Sequence, residues 1–212
     1  MKKIKTGIRN LDKLLGGGIP KGATVLVKGA PGTGKTNIGL EFLLKGAEKG
    51  QNGLFVSFQE NKEEILNYTS FKWNIENTAN TEKLNFRKLD PYRSGEVPEM
   101  VRGSLKENSA ERAVLDPVTD LDLYLDSRKD IRKNLLSLER EFKERNVTSL
   151  LIAENEEATE IEEEIADGII ELEQRKKDGK IQKTIYVRKL RGSDYVKGVH
   201  SYSFDENGMK VE

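Results

Sequence analysis

The chain has 212 residues, with 36 Lys and Arg against 36 Asp and Glu, and therefore no net charge. Neutrality removes the broad attraction expected of a general nucleic-acid or anionic-membrane binder and leaves that role only to a local basic patch. Without cysteine, disulfides, thiol catalysis, Cys-ligated zinc and iron–sulfur clusters are excluded, and the lone His200 supplies neither a Ser-His-Asp triad nor a multi-histidine metal site.

The length suits one domain with a sizeable core, and no internal repeat or low-complexity linker divides residues 1–212. Met1-Lys2-Lys3 is not followed by an apolar signal core, and no stretch has the apolar length of a transmembrane helix. A cytoplasmic location is expected, in keeping with the absence of cysteine.

Along the chain the apolar period switches between two and about 3.6. Ile8, Leu11, Leu14 and Leu15 make a short amphipathic helix that Gly16 to Gly18 can end. Thr24 to Val27 predicts a buried strand, and Thr36 to Lys49 a helix too apolar to lie on the surface. Gly53 to Phe58 predicts a strand, Lys62 to Phe71 a helix and Leu84 to Leu89 a further strand. A loop punctuated by Pro91, Gly95 and Pro98 follows, then a strand from Arg112 to Leu115 that ends at Asp116. Ser127 to Arg145 is the clearest helix, with Ile131, Leu135, Leu138 and Phe142 on one stripe. Strands are predicted at Ser149 to Ala153, Ile169 to Leu172 and Lys183 to Leu190, the last two joined by a turn at Asp178-Gly179. Tyr202 to Phe204 and Met209 to Val211 flank Asn207-Gly208, a hairpin signal. Strands alternating with helices predict an α/β fold with a mainly parallel sheet covered on both faces, closed by antiparallel strands.

Gly29-Ala30-Pro31-Gly32-Thr33-Gly34-Lys35-Thr36 fits the phosphate-loop pattern G-x-x-x-x-G-K-[ST], with a strand before it and a helix after it. Glycines let the backbone curl so that its N–H groups point at phosphate oxygens, and the helix adds its positive N-terminal end. Lys35 is expected to reach the β- and γ-phosphates of ATP, and the Thr36 hydroxyl to ligate Mg²⁺. Asp116, at the end of an apolar strand, is the expected magnesium carboxylate, ahead of Asp120 and Asp122.

With those residues in place, the chain resembles the KaiC-like branch of the RecA superfamily of ATPases over nearly its whole length. Thr6 to Gly22 is similar to that family's lead-in to the phosphate loop, and Phe71-Lys72-Trp73 to its F-G-W segment. Asp116-Pro117-Val118-Thr119 resembles its D-S-[VL]-T stretch, and Lys189 to Gly198 its K-L-R-G-x-x-x-x-K-G signature. The resemblance implies that Lys189 and Arg191 reach across a subunit interface to the phosphates of a neighbour's ATP. It therefore implies a homo-oligomer, most simply a hexameric ring, with nucleotide between subunits. It also implies a regulatory ATPase with a protein partner that the chain does not name. The circadian clock protein of the family carries two such domains and an autophosphorylation site, whereas one domain is read here and no residue marks a phosphosite.

One departure from the family pattern bears on the chemistry. The second strand there ends in two glutamates, the first of which activates the attacking water; here the strand runs into Gln59-Glu60. An amide can orient water but cannot take its proton at neutral pH. Either Glu60 takes over with slow turnover, or the protein binds ATP as an adaptor and hydrolyses little of it. A DNA-repair recombinase paralogue is disfavoured by the acidic stretch of Glu154, Glu156, Glu157, Glu160, Glu162, Glu163 and Glu164. Arg175, Lys176, Lys177, Lys180 and Lys183 form a basic cluster without interleaved aromatics and read as a solvated hairpin tip, so DNA binding is expected to be weak or absent. A small-molecule kinase would need a substrate lid, which the sequence does not display. Trp73 reads as a core residue rather than a ligand platform.

Overall fold

The chain opens with β1 (Lys3–Ile4), α1 (Leu11–Leu14) and β2 (Ile19–Pro20), the two strands pairing antiparallel as a small ribbon. There follow β3 (Thr24–Gly29), α2 (Lys35–Ala47), β4 (Gly53–Ser57), α3 (Lys62–Thr69), β5 (Leu84–Lys88), α4 (Val97–Glu107) and β6 (Arg112–Asp116). The remainder is α5 (Arg128–Glu144), β7 (Thr148–Ala153), α6 (Glu160–Ile165), β8 (Gly168–Lys177), β9 (Lys180–Leu190), β10 (His200–Asp205) and β11 (Gly208–Val211). This computed structural model describes residues 2–69, 81–89, 96–123, 125, 127–154, 159–177 and 179–212. The Phe71-Lys72-Trp73 segment, Pro91, Gly95, Glu156, Glu157 and Asp178 lie outside the described residues.

Among the described residues β3 to β11 form one nine-stranded sheet in the order β11-β10-β9-β8-β3-β7-β6-β4-β5. The part from β8 to β5 is parallel, and β9, β10 and β11 add antiparallel strands at the other end. The expected α/β architecture is the one found. Strands β3, β4, β6 and β7 are buried along their whole length, as apolar strands covered on both faces must be. Alternate residues feed two cores: Val25 and Val27 pack with α1 and α2, while Leu26 packs with α4, α5 and α6.

Helix α5 buries the stripe read from the sequence, Ile131, Leu135, Leu138 and Phe142. Ser127 caps it, its Oγ accepting from the Asp130 N–H at 3.2 Å. Helix α4 occupies part of what the sequence reads as loop. Val97, Val101 and Leu105 are buried on one stripe, and Pro98 stands in the first turn, where a missing N–H costs nothing.

Two buried charged side chains tie distant segments together. The Arg112 guanidinium, 1% exposed, donates to Phe42 O (2.6 Å), Lys5 O (2.8 Å) and Gln51 Oε1 (2.7 and 2.9 Å), and lies 4.5 Å from the Phe42 ring centroid. The Glu41 carboxylate, on α2, receives the Met209 N–H of β11 at 2.9 Å, while Arg9 holds Asp205 at 2.5 Å and Gly208 O at 3.0 Å. Glu41 thus docks the closing hairpin on the helix that starts at the phosphate loop.

Arg112→Leu would leave two backbone carbonyls and an amide without their donors in a dry setting. It is expected to lower the unfolding free energy by about 2–4 kcal/mol in urea denaturation. Burial pushes the Glu41 carboxyl from 4.5 up to about 7, against the Met209 N–H. The folded state then holds this proton more tightly than the unfolded state, so Glu41 lowers stability as pH rises from 4.5 to about 7. Glu41→Gln should match the parent near pH 4.5 and exceed it by about 1–3 kcal/mol above pH 7. A difference that stays flat across that range in urea melts would show that Glu41 does not titrate there.

Candidate functional site

β3 ends at Gly29 and α2 starts at Lys35, so residues 30–34 must turn the chain over the carboxyl edge of the sheet. Such an edge is where open α/β sheets collect ligands. Gly32 and Gly34 make the turn in left-handed conformation, with φ of 79° and 96°. A Cβ on Gly34 would stand 2.6 Å from the Phe204 ring, and one on Gly29 would stand 2.3 Å from Leu172 O. The loop therefore lies closer to its neighbours than a side chain would permit.

Lys35 is buried, and its ammonium turns back to donate to Gly29 O at 2.8 Å and Ala30 O at 3.2 Å. Burial pushes its pKa down, opposed by the charges of Glu154 and Asp116. Asp116 ends β6 beside Ser57 of β4 and is 8% exposed. Burial raises its carboxyl to about 7, against a hydrogen bond from Thr36 and the charge of Lys35. Thr36 and Asp116, 80 residues apart in sequence numbering, thus meet as a hydroxyl and a carboxylate at one point. This donor set suits Mg²⁺, which takes one or two protein oxygens and fills its octahedron with phosphate and water.

Gln59 and Glu60 follow β4, and both backbone N–H groups donate to Ser57 Oγ, at 3.3 and 2.9 Å. The Gln59 side chain is engaged: Nε2 donates to Asp120 Oδ1 at 3.1 Å. Burial raises the Asp120 carboxyl, the Gln59 hydrogen bond opposes this, and the charge of Glu154 adds to it. Because the amide nitrogen is turned to Asp120, the Gln59 carbonyl oxygen is left as its second polar end.

A cleft of about 410 Å³ joins these parts, with Pro31, Lys35, Thr36, Gln59, Glu60 and Glu154 on its wall. Lys183 and Phe204 also line it. By sequence Lys183 belongs to a solvated hairpin tip and Glu154 to an acidic stretch, and Phe204 stands out for no role. Arg175, Lys176 and Lys180 are exposed, as that reading expects. Lys183 instead donates to Gly32 O at 2.7 Å. A basic residue facing along β9 toward the loop was the available signal, and its register was not legible without the fold. Within the acidic stretch, Glu163 pairs with buried Lys28 at 2.7 Å, and Glu160 and Glu164 pair with Arg128 and Arg132.

Lys189 and Arg191 lie apart from the cleft of their own chain. The Lys189 ammonium caps the end of α6 through Glu163 O (2.9 Å) and Ala166 O (2.6 Å). Arg191 meets Glu164 O at 3.4 Å and Asp167 at 3.7 Å.

The family described as ATPase: KaiC matches residues 4–212. A UPF0273 protein of Thermotoga maritima is 28% identical over 237 residues, spanning 100% of this chain and 96% of that one. The circadian clock protein KaiC2 of a Synechocystis strain is 30% identical over 225 residues, covering 99% of this chain but only 40% of the longer protein. Among solved structures, a KaiC-like protein from the hyperthermophilic archaeon Pyrococcus horikoshii OT3 is 30% identical. It has a TM-score of 0.89 and covers 100% of this chain and 99% of that one. With its phosphate loop, its parallel sheet and a match running nearly end to end, the chain belongs to the KaiC family of ATPases.

Proposed function

We propose that residues 1–212 work as one Mg-ATP-binding domain of low turnover, in a homo-oligomeric regulatory switch that acts on a protein partner. The observation that carries this reading is the meeting of Lys35, Thr36 and Asp116 at one end of a cleft walled by the Gly29–Thr36 loop. Loop N–H groups and the α2 N-terminus bind the phosphates of ATP or ADP. Lys35 exchanges the Gly29 and Ala30 carbonyls for phosphate oxygens, a short swing for an ammonium already at the site. Thr36 and Asp116 hold magnesium, which supplies charge neutralisation on the phosphate oxygens when bound. The Gln59 carbonyl orients water, and Glu60 is the nearby carboxylate able to take a proton.

Three features support the switch. Gln59 has no proton-accepting capacity, and a positioned general base is worth about 10²–10⁴-fold in rate, so turnover is slow. Lys189 and Arg191 lie outside their own cleft, consistent with contacts to a neighbour's phosphates in a ring, for which a hexamer is the simplest closure. The exposed carboxylates Glu154, Glu160 and Glu164 disfavour tight DNA binding. No helix among the described residues is long and apolar enough to cross a membrane, and a cytoplasmic site of action fits the chemistry. A nucleotide-binding adaptor with almost no hydrolysis is the second reading, favoured by the Gln59–Asp120 hydrogen bond that ties up the amide.

Sedimentation with Mg-ATP, Mg-ADP or no nucleotide, with phosphate release followed in parallel, tests the proposal. An ATP-dependent oligomer with slow release is expected, and Lys35→Ala should abolish both. A monomer under all conditions, with no release, would overturn the switch reading and favour the adaptor. The Gln59–Asp120 pair generates a second prediction. Gln59→Glu alone sets two carboxylates against each other and should gain little. Combined with Asp120→Asn, which restores a donor, it should speed phosphate release by about 10²-fold. A double variant no faster than the parent would mean that the base does not act from position 59, and loss of all turnover in Glu60→Gln would then assign it to Glu60.

A further inference from the structure

We infer that Tyr202 is a positioning residue for phosphate binding, the buried member of a brace through which the antiparallel strands hold the Gly29–Thr36 loop in its anion-binding shape. The inference rests on the reading of that loop as a phosphate site.

A loop can aim several N–H groups at an anion only by turning its carbonyls outward, and each outward carbonyl in a buried setting needs a donor. The structure accounts for them one by one. Gly29 O accepts from Lys35, and Ala30 O from Lys35, from the Thr33 hydroxyl at 2.8 Å and from the Thr33 N–H at 3.3 Å. Gly34 O accepts from the Ile38 N–H of α2 at 3.1 Å. Between them, Pro31 O accepts from Gln174 Nε2 (3.1 Å), Gly32 O from Lys183 Nζ (2.7 Å) and Thr33 O from the Tyr202 hydroxyl (2.7 Å). Those donors come in turn from β8, β9 and β10, elements distant in sequence from the loop.

The donors differ in setting. Gln174 is exposed and Lys183 half-buried, so water can replace either at modest cost. Tyr202 is 4% exposed, and burial pushes its phenol pKa up, so it stays a donor at every working pH. Its ring is fixed edge-on to Phe204, with centroids 5.9 Å apart. Its backbone pairs with Val211. When Lys35 turns to phosphate it leaves the Gly29 and Ala30 carbonyls, and the hold on residues 31–33 stays with the strands. Removing the Tyr202 hydroxyl alone frees Thr33 O and lets the peptide preceding Gly34 rotate.

Tyr202→Phe keeps the ring and deletes that hydroxyl. Binding is read by calorimetry with Mg-ADP and with Mg-pyrophosphate, which has no base or ribose. We expect affinity for both to fall by the same factor, about tenfold in the folded protein, alongside a modest drop in the nucleotide-free unfolding midpoint. A merely structural residue would move the midpoint and leave the affinity of the folded fraction intact. Unchanged pyrophosphate affinity in folded Tyr202→Phe overturns the proposal. Should that variant fail to fold, 4-fluorophenylalanine at position 202, which fills the space of the hydroxyl without donating, decides. Several-fold weaker pyrophosphate binding supports the brace, and parent-like binding overturns it. If the parent itself binds neither ligand and Lys35→Ala behaves identically, the phosphate reading falls and the brace falls with it, an outcome distinct from a parent that binds and a Tyr202→Phe that binds equally well.

Discussion

A phosphate loop is a run of peptide units forced to face one way. Turning a loop's free N–H groups toward an anion sends its carbonyls outward into protein, and the fold around residues 30–34 answers that demand. Helix α2 serves Gly34, Lys35 serves the start of the loop, and strands β8, β9 and β10 serve its middle. The antiparallel end of the sheet is therefore more than an edge extension. It is packed so closely that a Cβ on Gly34 would meet the Phe204 ring, and it is docked in turn on α2 by Glu41 and on the N-terminal segment by Arg9 and Asn10.

The same closeness controls the electrostatics. Lys35, Asp116, Asp120 and Glu154 converge where four parallel strands end, and three of them are buried. Burial disfavours every one of those buried charges on its own, pulling the lysine pKa down and the carboxyl pKa values up. A site so arranged gains from a ligand that brings both phosphate charge for the lysine and a divalent ion for the carboxylate. Burial also strengthens each interaction made there, because little water remains to compete.

The pair at the end of β4 shows how a single amide redirects chemistry. A glutamine at position 59 can share a hydrogen bond with buried Asp120, where a glutamate would meet a like charge. The identity of residue 59 and that of residue 120 are thus linked by 3.1 Å of geometry rather than by sequence proximity. The proposed slow turnover rests on that link, and slow turnover suits a nucleotide-state switch better than a motor.

Sequence alone was enough for most of what depends on local period or short spacing. The buried strands, the α5 stripe, the Asn207-Gly208 hairpin and the glycine-lysine loop all follow from residues a few places apart, because backbone geometry acts over that range. Asp116 was legible for the same reason, as a carboxylate ending an apolar strand. Helix α4 was obscured by the loop signal of Pro91, Gly95 and Pro98, which outweighed a Val97, Val101, Leu105 stripe until a core was there to bury it. Only the tertiary structure could bring Tyr202, Lys183 and Gln174 to carbonyls some 140 to 170 positions earlier in the chain, bury Arg112 among three segments, or turn Lys189 onto the end of α6. Those side chains are ordinary polar residues by composition. Their roles arise from which unsatisfied backbone groups the packed sheet sets before them, and that is a property of strand order and register rather than of any local run of residues.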